Sequence, residues 1–180
     1  MKKKIKINGE TFSEFLSEKK IQKKVSQIGK KIEKEYSNKR PVFIGVLNGA
    51  SIFLADLIRN INIDLEIDFI KLSSYGDEKF SSGSVKLLKD VDAHIGGKDV
   101  LIVEDIVDTG LSVSFIKKHL ITRNPKSIKI VSLLHKKNKS ANESPNYVGF
   151  EIKDLFVIGY GLDYAQKYRN LKSIYILDSK

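Results

Sequence analysis

The stretch VLIVEDIVDTGLS (residues 100–112) decides how the rest of the chain is read. Its first half is an apolar run of the kind that forms a buried strand. Its second half, Asp108-Thr109-Gly110-Leu111-Ser112, has the small polar residues of a loop that cradles an anion at a helix N-terminus. Yet three carboxylates, Glu104, Asp105 and Asp108, sit in the same place. A bare anion would be repelled by them. An anion that brings sugar hydroxyls, a metal ion or a transferable proton gives each acid a task, since Mg²⁺ prefers carboxylates together with phosphate oxygens. A phosphorylated sugar meets these demands; a plain strand–helix turn with an aspartate cap leaves the other acids incidental.

Outward from this stretch the pattern is strand, loop, helix. PVFIGVL (residues 41–47) reads as a short buried strand, NGAS as a turn and IFLADLIRN as a helix. DLEIDFIKL (residues 64–72) alternates polar and apolar residues, and SVKLLKDV suggests a further strand. Between them residues 73–84 show no periodicity and are rich in Ser and Gly, which predicts a long loop of lid type. A helix is expected from about Leu111 to Ile121, a buried strand over residues 127–134, and short strands in YVGFEI, LFVIGYGLD and SIYILD. From Phe12 to Tyr36 apolar residues recur near helical spacing, predicting one long or two short amphipathic helices. Strands alternating with helices imply an α/β fold with a mainly parallel sheet, whose ligands sit at the carboxyl ends of strands. Leu47-Asn48-Gly49, Glu104-Asp105, His135-Lys136 and residues 159–163 all fall at such ends.

Composition narrows the function. The 180 residues suffice for one domain with a substantial core, and no repeat or linker divides them. With no cysteine, disulfides, thiolate metal sites and cysteine nucleophiles are excluded. No apolar run approaches the roughly 20 residues needed to span a bilayer, and no apolar segment follows the basic start, so a cytoplasmic protein is expected. The net charge of +10 invites a nucleic-acid reading, but the excess is almost all lysine, interspersed with acids, as on a solvated surface. A phosphate-binding P-loop is absent, and Asp105 and Asp108 are too far apart in sequence for an aspartyl nucleophile pair. The three histidines, His94, His119 and His135, lack metal-ligand spacing and read as surface or capping residues.

VLIVEDIVDTGLS resembles the phosphoribosyl-pyrophosphate signature of the type I phosphoribosyltransferases. VLNGASIFLADLI is similar to the pyrophosphate loop of the hypoxanthine-guanine branch of that family, and KLSSYG to the start of its flexible loop. VSLLHKKN and VGFEIKDLFVIGYGLDYAQKYRNL resemble its purine-binding strand and C-terminal hood. The likeness runs from about residue 41 to the C-terminus. It implies the type I phosphoribosyltransferase fold, with a central mainly parallel sheet flanked by helices in a single domain spanning residues 1–180. It further implies a small hood built from the N-terminal helices and residues 147–180. The implied reaction is purine salvage, in which a 6-oxopurine displaces pyrophosphate from phosphoribosyl pyrophosphate with Mg²⁺ as cofactor.

Carried over by position, Asp108 is the general base, facing N7 of the purine. Glu104 and Asp105 hold the ribose hydroxyls and organise Mg²⁺, and Asp163 reaches a second Mg²⁺ on the pyrophosphate side. Ile106, Val107, Thr109, Gly110, Leu111 and Ser112 complete the phosphoribosyl loop. Leu47, Asn48, Gly49 and Arg169 serve the pyrophosphate, and Ser74 and Tyr75 close over the reacting centre. Lys136 donates to the purine O6, Phe156 stacks on the ring, and the Val157 backbone meets its edge. Two positions depart from the family pattern: Asn48 and Leu111 stand where relatives often have lysine. The resemblance also implies a homodimer or homotetramer. The competing reading is a catalytically inactive regulator on the same fold that binds nucleotide or RNA.

Overall fold

The computed structural model describes residues 3–74, 85–136 and 143–178. A six-stranded sheet runs through its centre, built from β3 (Val42–Leu47), β4 (Glu66–Ser74), β5 (Val85–Lys89), β6 (Asp99–Val107), β7 (Ser127–Lys136) and β8 (Tyr147–Ile152) in the order β5-β4-β3-β6-β7-β8. All neighbours are parallel except β5, which pairs antiparallel with β4 at one edge. The chain starts this sheet at β3, steps outward to β4, then returns to β6 on the other side. The reversal leaves a crevice at the carboxyl ends of β3 and β6, the place where such sheets bind ligands.

Helices cover both faces. α1 (Glu18–Glu35) buries Ile21, Val25, Ile28 and Ile32 at helical spacing and packs with α2 (Ser51–Ile58) on one face. The first N–H of α1 is capped from far along the chain, by Ser173 Oγ at 3.1 Å. α3 (Leu111–Ile121) covers the other face through Ile116 and Leu120, which cluster with Ile44, Val100 and Ile102. None of the helices is long and apolar enough to cross a membrane.

The N-terminal helix expected from residue 12 is corrected in its first part. β1 (Lys4–Ile7) and β2 (Glu10–Leu16) form a hairpin, and helix begins only at Glu18. The reason is local: Asn8 and Gly9 have φ of 51° and 82°, the two-residue turn that an Asn-Gly pair favours between strands. Phe12, fully buried, then packs with Ile7, Ile158 and Tyr175 in a small second core. β2 pairs with β10 (Ile174–Leu177), which pairs with β9 (Val157–Ile158), so a four-stranded antiparallel sheet stands over the crevice. Tyr75 and residues 76–84 of the expected lid lie outside the described residues.

Asp68 of β4 ties the edge of the sheet together. Its carboxylate accepts the N–H groups of Asp92 at 2.6 Å and Ala93 at 2.7 Å, with Lys89 Nζ at 3.4 Å. Burial would raise its pKa, but these N–H groups and the ammonium outweigh it and hold the carboxyl below its ordinary value. A depressed pKa stabilises the fold above the unfolded value of 3.8, and this is lost as pH falls through the native value. Asp68→Ala should cost about 1.5–3 kcal/mol at pH 7, the worth of hydrogen bonds to a charged group. Urea unfolding at pH 7 and at about pH 3 checks it: the gap between wild type and variant should shrink at the lower pH.

Candidate active site

At the carboxyl end of β3 the chain turns through Leu47, Asn48 and Gly49, with a cis peptide between Leu47 and Asn48. Gly49 lies against the Asp105 carboxylate so closely that a Cβ there would fall 1.9 Å from Oδ2. Gly161 presses on the other side; its own Cβ would meet the Gly49 carbonyl at 2.2 Å, and its φ of 99° suits only glycine. Three segments distant in sequence therefore touch at backbone range. A brace holds them: Tyr160 donates its hydroxyl to Asp56 of α2 at 2.6 Å, and Gln22 of α1 donates to the same oxygen.

The acids of β6 are deeply set. Glu104 Oε2 is buried without a hydrogen-bond partner, and burial, then the adjacent Asp105 carboxylate, pushes its pKa well up. Asp105 is 7% exposed and its pKa is raised to about 6, by burial first, against the Ile106 N–H and Arg169, which favour the charged form. Arg169 pairs with Asp163 at 2.8 Å and donates to the Gly161 carbonyl at 2.7 Å. Glu104, Asp105 and Asp163 are thus hard oxygen donors gathered at the crevice. Among the described residues no group of three His, Cys, Asp or Glu could enclose a metal ion by themselves. The set suits a divalent ion of Mg²⁺ type, which takes one or two carboxylates and draws its other oxygens from ligand and water.

Beyond Val107 the loop opens as the sequence predicts. Asp108 and Thr109 are exposed, Gly110 is left-handed at φ 74°, and Leu111 and Ser112 begin α3; the Leu111 N–H makes a long bond to Thr109 Oγ1 at 3.4 Å, and the other N–H groups of the first turn have no intrahelical acceptor, which suits an anion. Val107 differs: its side chain is buried with Val113 and Ile130, so only its backbone can reach a ligand. His135, expected on the surface, is buried, with Nε2 lacking a partner.

A cavity of about 310 Å³ adjoins the loop, lined by Ile106, Asp108, Lys136, Asp154, Leu155, Phe156, Val157 and Leu162. Its polar groups converge. Lys136 Nζ donates to Asp108 Oδ2 at 2.9 Å and to Asp154 Oδ1 at 2.7 Å. Burial opposes the ammonium's charge, yet the two carboxylates prevail and raise its pKa. Phe156 is half exposed and has Tyr164 edge-on at 5.5 Å, an unusual position for an aromatic unless a flat ligand covers it. Sequence reasoning missed Asp154, Leu155 and Asp56, and gave Gly161 and Leu162 a place at the strand end but no role of their own. None carries a spacing signal; only the fold brings them in.

The described part of the site thus unites Leu47, Asn48, Gly49, Glu104 to Ser112, Lys136, Phe156, Val157, Asp163 and Arg169 around one crevice. Ser74 ends β4 on the same carboxyl side. The family model of the phosphoribosyl transferase domain matches residues 11–165. A hypoxanthine-guanine phosphoribosyltransferase of Bacillus subtilis is 50% identical over 164 residues, 91% of each chain. A hypoxanthine phosphoribosyltransferase structure from Staphylococcus aureus superposes with a TM-score of 0.87 at 42% identity, covering 92% of this chain and 90% of that one. A hypoxanthine-guanine phosphoribosyltransferase structure from Bacillus anthracis gives 0.86 at 45% identity, covering 91% and 96%.

The raised Asp105 pKa has a sign that can be tested. A carboxyl whose native pKa lies above the unfolded 3.8 destabilises the fold as pH rises from about 4 through about 6. At about two pKa steps the cost is on the order of 3 kcal/mol above pH 7. Asp105→Asn, isosteric and uncharged, should therefore unfold at a higher temperature than wild type at pH 8 in chelator, with little difference at pH 4. A lower melting temperature at pH 8 would mean that the charged form is the better-solvated one.

Proposed function

The chain belongs to the phosphoribosyl transferase family, and from that premise we propose that it transfers the phosphoribosyl group of phosphoribosyl pyrophosphate to hypoxanthine and/or guanine in purine salvage. The observation that carries the reading is the meeting of Asp108 and Lys136 on the rim of a cavity walled by Phe156, one loop away from Glu104 and Asp105. A purine needs the flat cavity, a donor for its O6 and an acceptor for its N7 proton. Ribose hydroxyls need carboxylates, and the 5′-phosphate needs N–H donors such as those of residues 109–112.

In this reading N9 of the base bonds to C1 of the ribose as the C1–O bond to pyrophosphate breaks, and Asp108 takes the proton from N7. Lys136 holds O6 and disfavours adenine, whose amino group has no lone pair to offer an ammonium. Glu104 and Asp105 fix the ribose while positive charge grows at C1. Arg169 and the N–H groups of Asn48 and Gly49 receive the departing pyrophosphate. Glu104 and Asp105 would hold one Mg²⁺ and Asp163 a second on the pyrophosphate side, and these ions would supply charge neutralisation for that leaving group. The same reading carries a cytoplasmic location, a homodimer or homotetramer, and a lid that includes Ser74 and Tyr75.

The inactive-regulator alternative finds no support: the relatives are named as transferases, and binding alone would not require Asp108. Release of pyrophosphate from hypoxanthine and phosphoribosyl pyrophosphate tests the proposal. Asp108→Asn, a change on an exposed loop, should keep the fold and lower kcat by about 10²–10⁴-fold, the usual worth of a positioned base. Near-normal turnover would remove Asp108 from that role.

Lys136→Ala should raise the KM for hypoxanthine about 10–100-fold, since a charge-assisted hydrogen bond is worth roughly 1.5–3 kcal/mol. The KM for phosphoribosyl pyrophosphate should move far less. Steady-state kinetics with each substrate varied in turn separates the two, and an unchanged base KM would leave Lys136 a solvated strand end.

A further inference from the structure

Lys136 has more acid around it than base recognition requires. Its ammonium touches Asp108, the proposed general base, and also Asp154, which follows β8 on a different segment of the chain. The two carboxylates differ in setting: the Asp154 side chain is 91% exposed and that of Asp108 52%, while the lysine itself is 15% exposed. An exposed acid held at 2.7 Å by a mostly buried ammonium is a poor source of stability, because solvent screens it and ordering it costs entropy. Its effect falls instead on where the ammonium sits.

Lys136 faces a conflict when the cavity is filled. An ammonium that pairs only with Asp108 ties up the oxygens that must take the N7 proton, and is itself turned away from O6. A second carboxylate, Asp154, holds the ammonium at the mouth while it also reaches Asp108, so the charge does not depend on Asp108 alone. An ammonium has three N–H donors; with Asp154 keeping one, the bond to Asp108 can be exchanged for one to the incoming carbonyl without the charge being left unpaired. That exchange matters at a site where Lys136 is mostly enclosed, since a buried charge that loses its partner is costly.

We propose that Asp154 is a positioning residue for the base half of the reaction, holding Lys136 for exchange from Asp108 to the oxo group of the purine. The inference rests on the phosphoribosyltransferase reading above. It makes Asp154 a specificity determinant for 6-oxo bases that acts through Lys136 and does not itself need to touch the base.

Steady-state kinetics of Asp154→Ala, Asp154→Glu, Lys136→Ala and the Asp154→Ala/Lys136→Ala double variant test it. Asp154→Ala should raise the KM for hypoxanthine about 5–20-fold, leave the KM for phosphoribosyl pyrophosphate within about twofold, and be partly rescued by Asp154→Glu, which keeps the charge. In the Lys136→Ala background the same change should do nothing further, because coupled residues are not additive. Equal losses with and without Lys136 would overturn the proposal, as would an unchanged hypoxanthine KM in Asp154→Ala. An equal rise in both substrates' KM would also overturn it, since that is the mark of a general structural defect. Absence of pyrophosphate release in the wild type would instead strike the functional reading, so the two failures are distinguishable.

Discussion

The contact of Gly49 with the Asp105 carboxylate, backed by Gly161 on the Gly49 carbonyl, is the constraint around which the crevice is built. No side chain fits between these three segments. The loop after β3, the buried acid of β6 and the turn after β9 must therefore be placed together or not at all. Much of the surrounding architecture serves that placement. α2 departs directly from the Gly49 turn, and its Asp56 holds Tyr160, the residue before Gly161, so the contact closes a ring through one helix. Ser173, just before β10, caps α1, which packs on α2 and completes the ring from outside.

Burying two adjacent acids there opposes stability, since both Glu104 and Asp105 are pushed toward their neutral forms. A fold selected only for stability would not leave Glu104 Oε2 enclosed and unpartnered. The arrangement becomes economical when a ligand supplies what is missing: hydroxyl donors or a cation satisfy the buried oxygens, and the acids are then in their better-solvated, charged state. This answers the puzzle of acids packed beside an anion cradle. Glu104 and Asp105 lie deeper in β6, whereas the exposed Asp108 follows the strand and pairs with Lys136, and the proposed anion cradle is backbone N–H at the loop and the start of α3.

How much of this was legible in the sequence varies with the range of the interactions involved. Residues 100–112 form a strand, a left-handed glycine and a helix in the expected order because each step depends on near neighbours: an apolar run, Gly110, and helical spacing after it. The same local logic was present at Asn8-Gly9 and was overridden by the apolar spacing of Phe12, Phe15 and Leu16, which fits a helix until a turn is recognised ahead of it. The burial of His135, expected on the surface, has a different reason: a strand residue's face depends on its register with neighbours, and His135 pairs with the buried Val107 across β6 and β7. Asp154 was invisible because nothing in EIKDLF marks an acid whose partner is eighteen residues away on another strand. The roles assigned to the site residues came from resemblance, and the packing gives physical reasons for them only where groups converge.

The two halves of the crevice hold charge by different physics. Around the proposed base site the charges are mobile side chains: an ammonium shared between two carboxylates, able to change partners as a ligand enters. Around the proposed phosphate and pyrophosphate sites the holding groups are mostly fixed. Asn48 and Leu111 carry no positive charge, Arg169 is anchored by Asp163 and the Gly161 carbonyl, and beside it stand backbone N–H groups at the start of α3 and at Asn48 and Gly49. Fixed dipoles need no reorganisation when charge develops, and they keep their alignment only if the backbone cannot relax. That returns the argument to the glycine contact: an anion site made of amides works to the extent that the chain carrying them is locked, and the missing Cβ at Gly49 and Gly161 is what lets it lock.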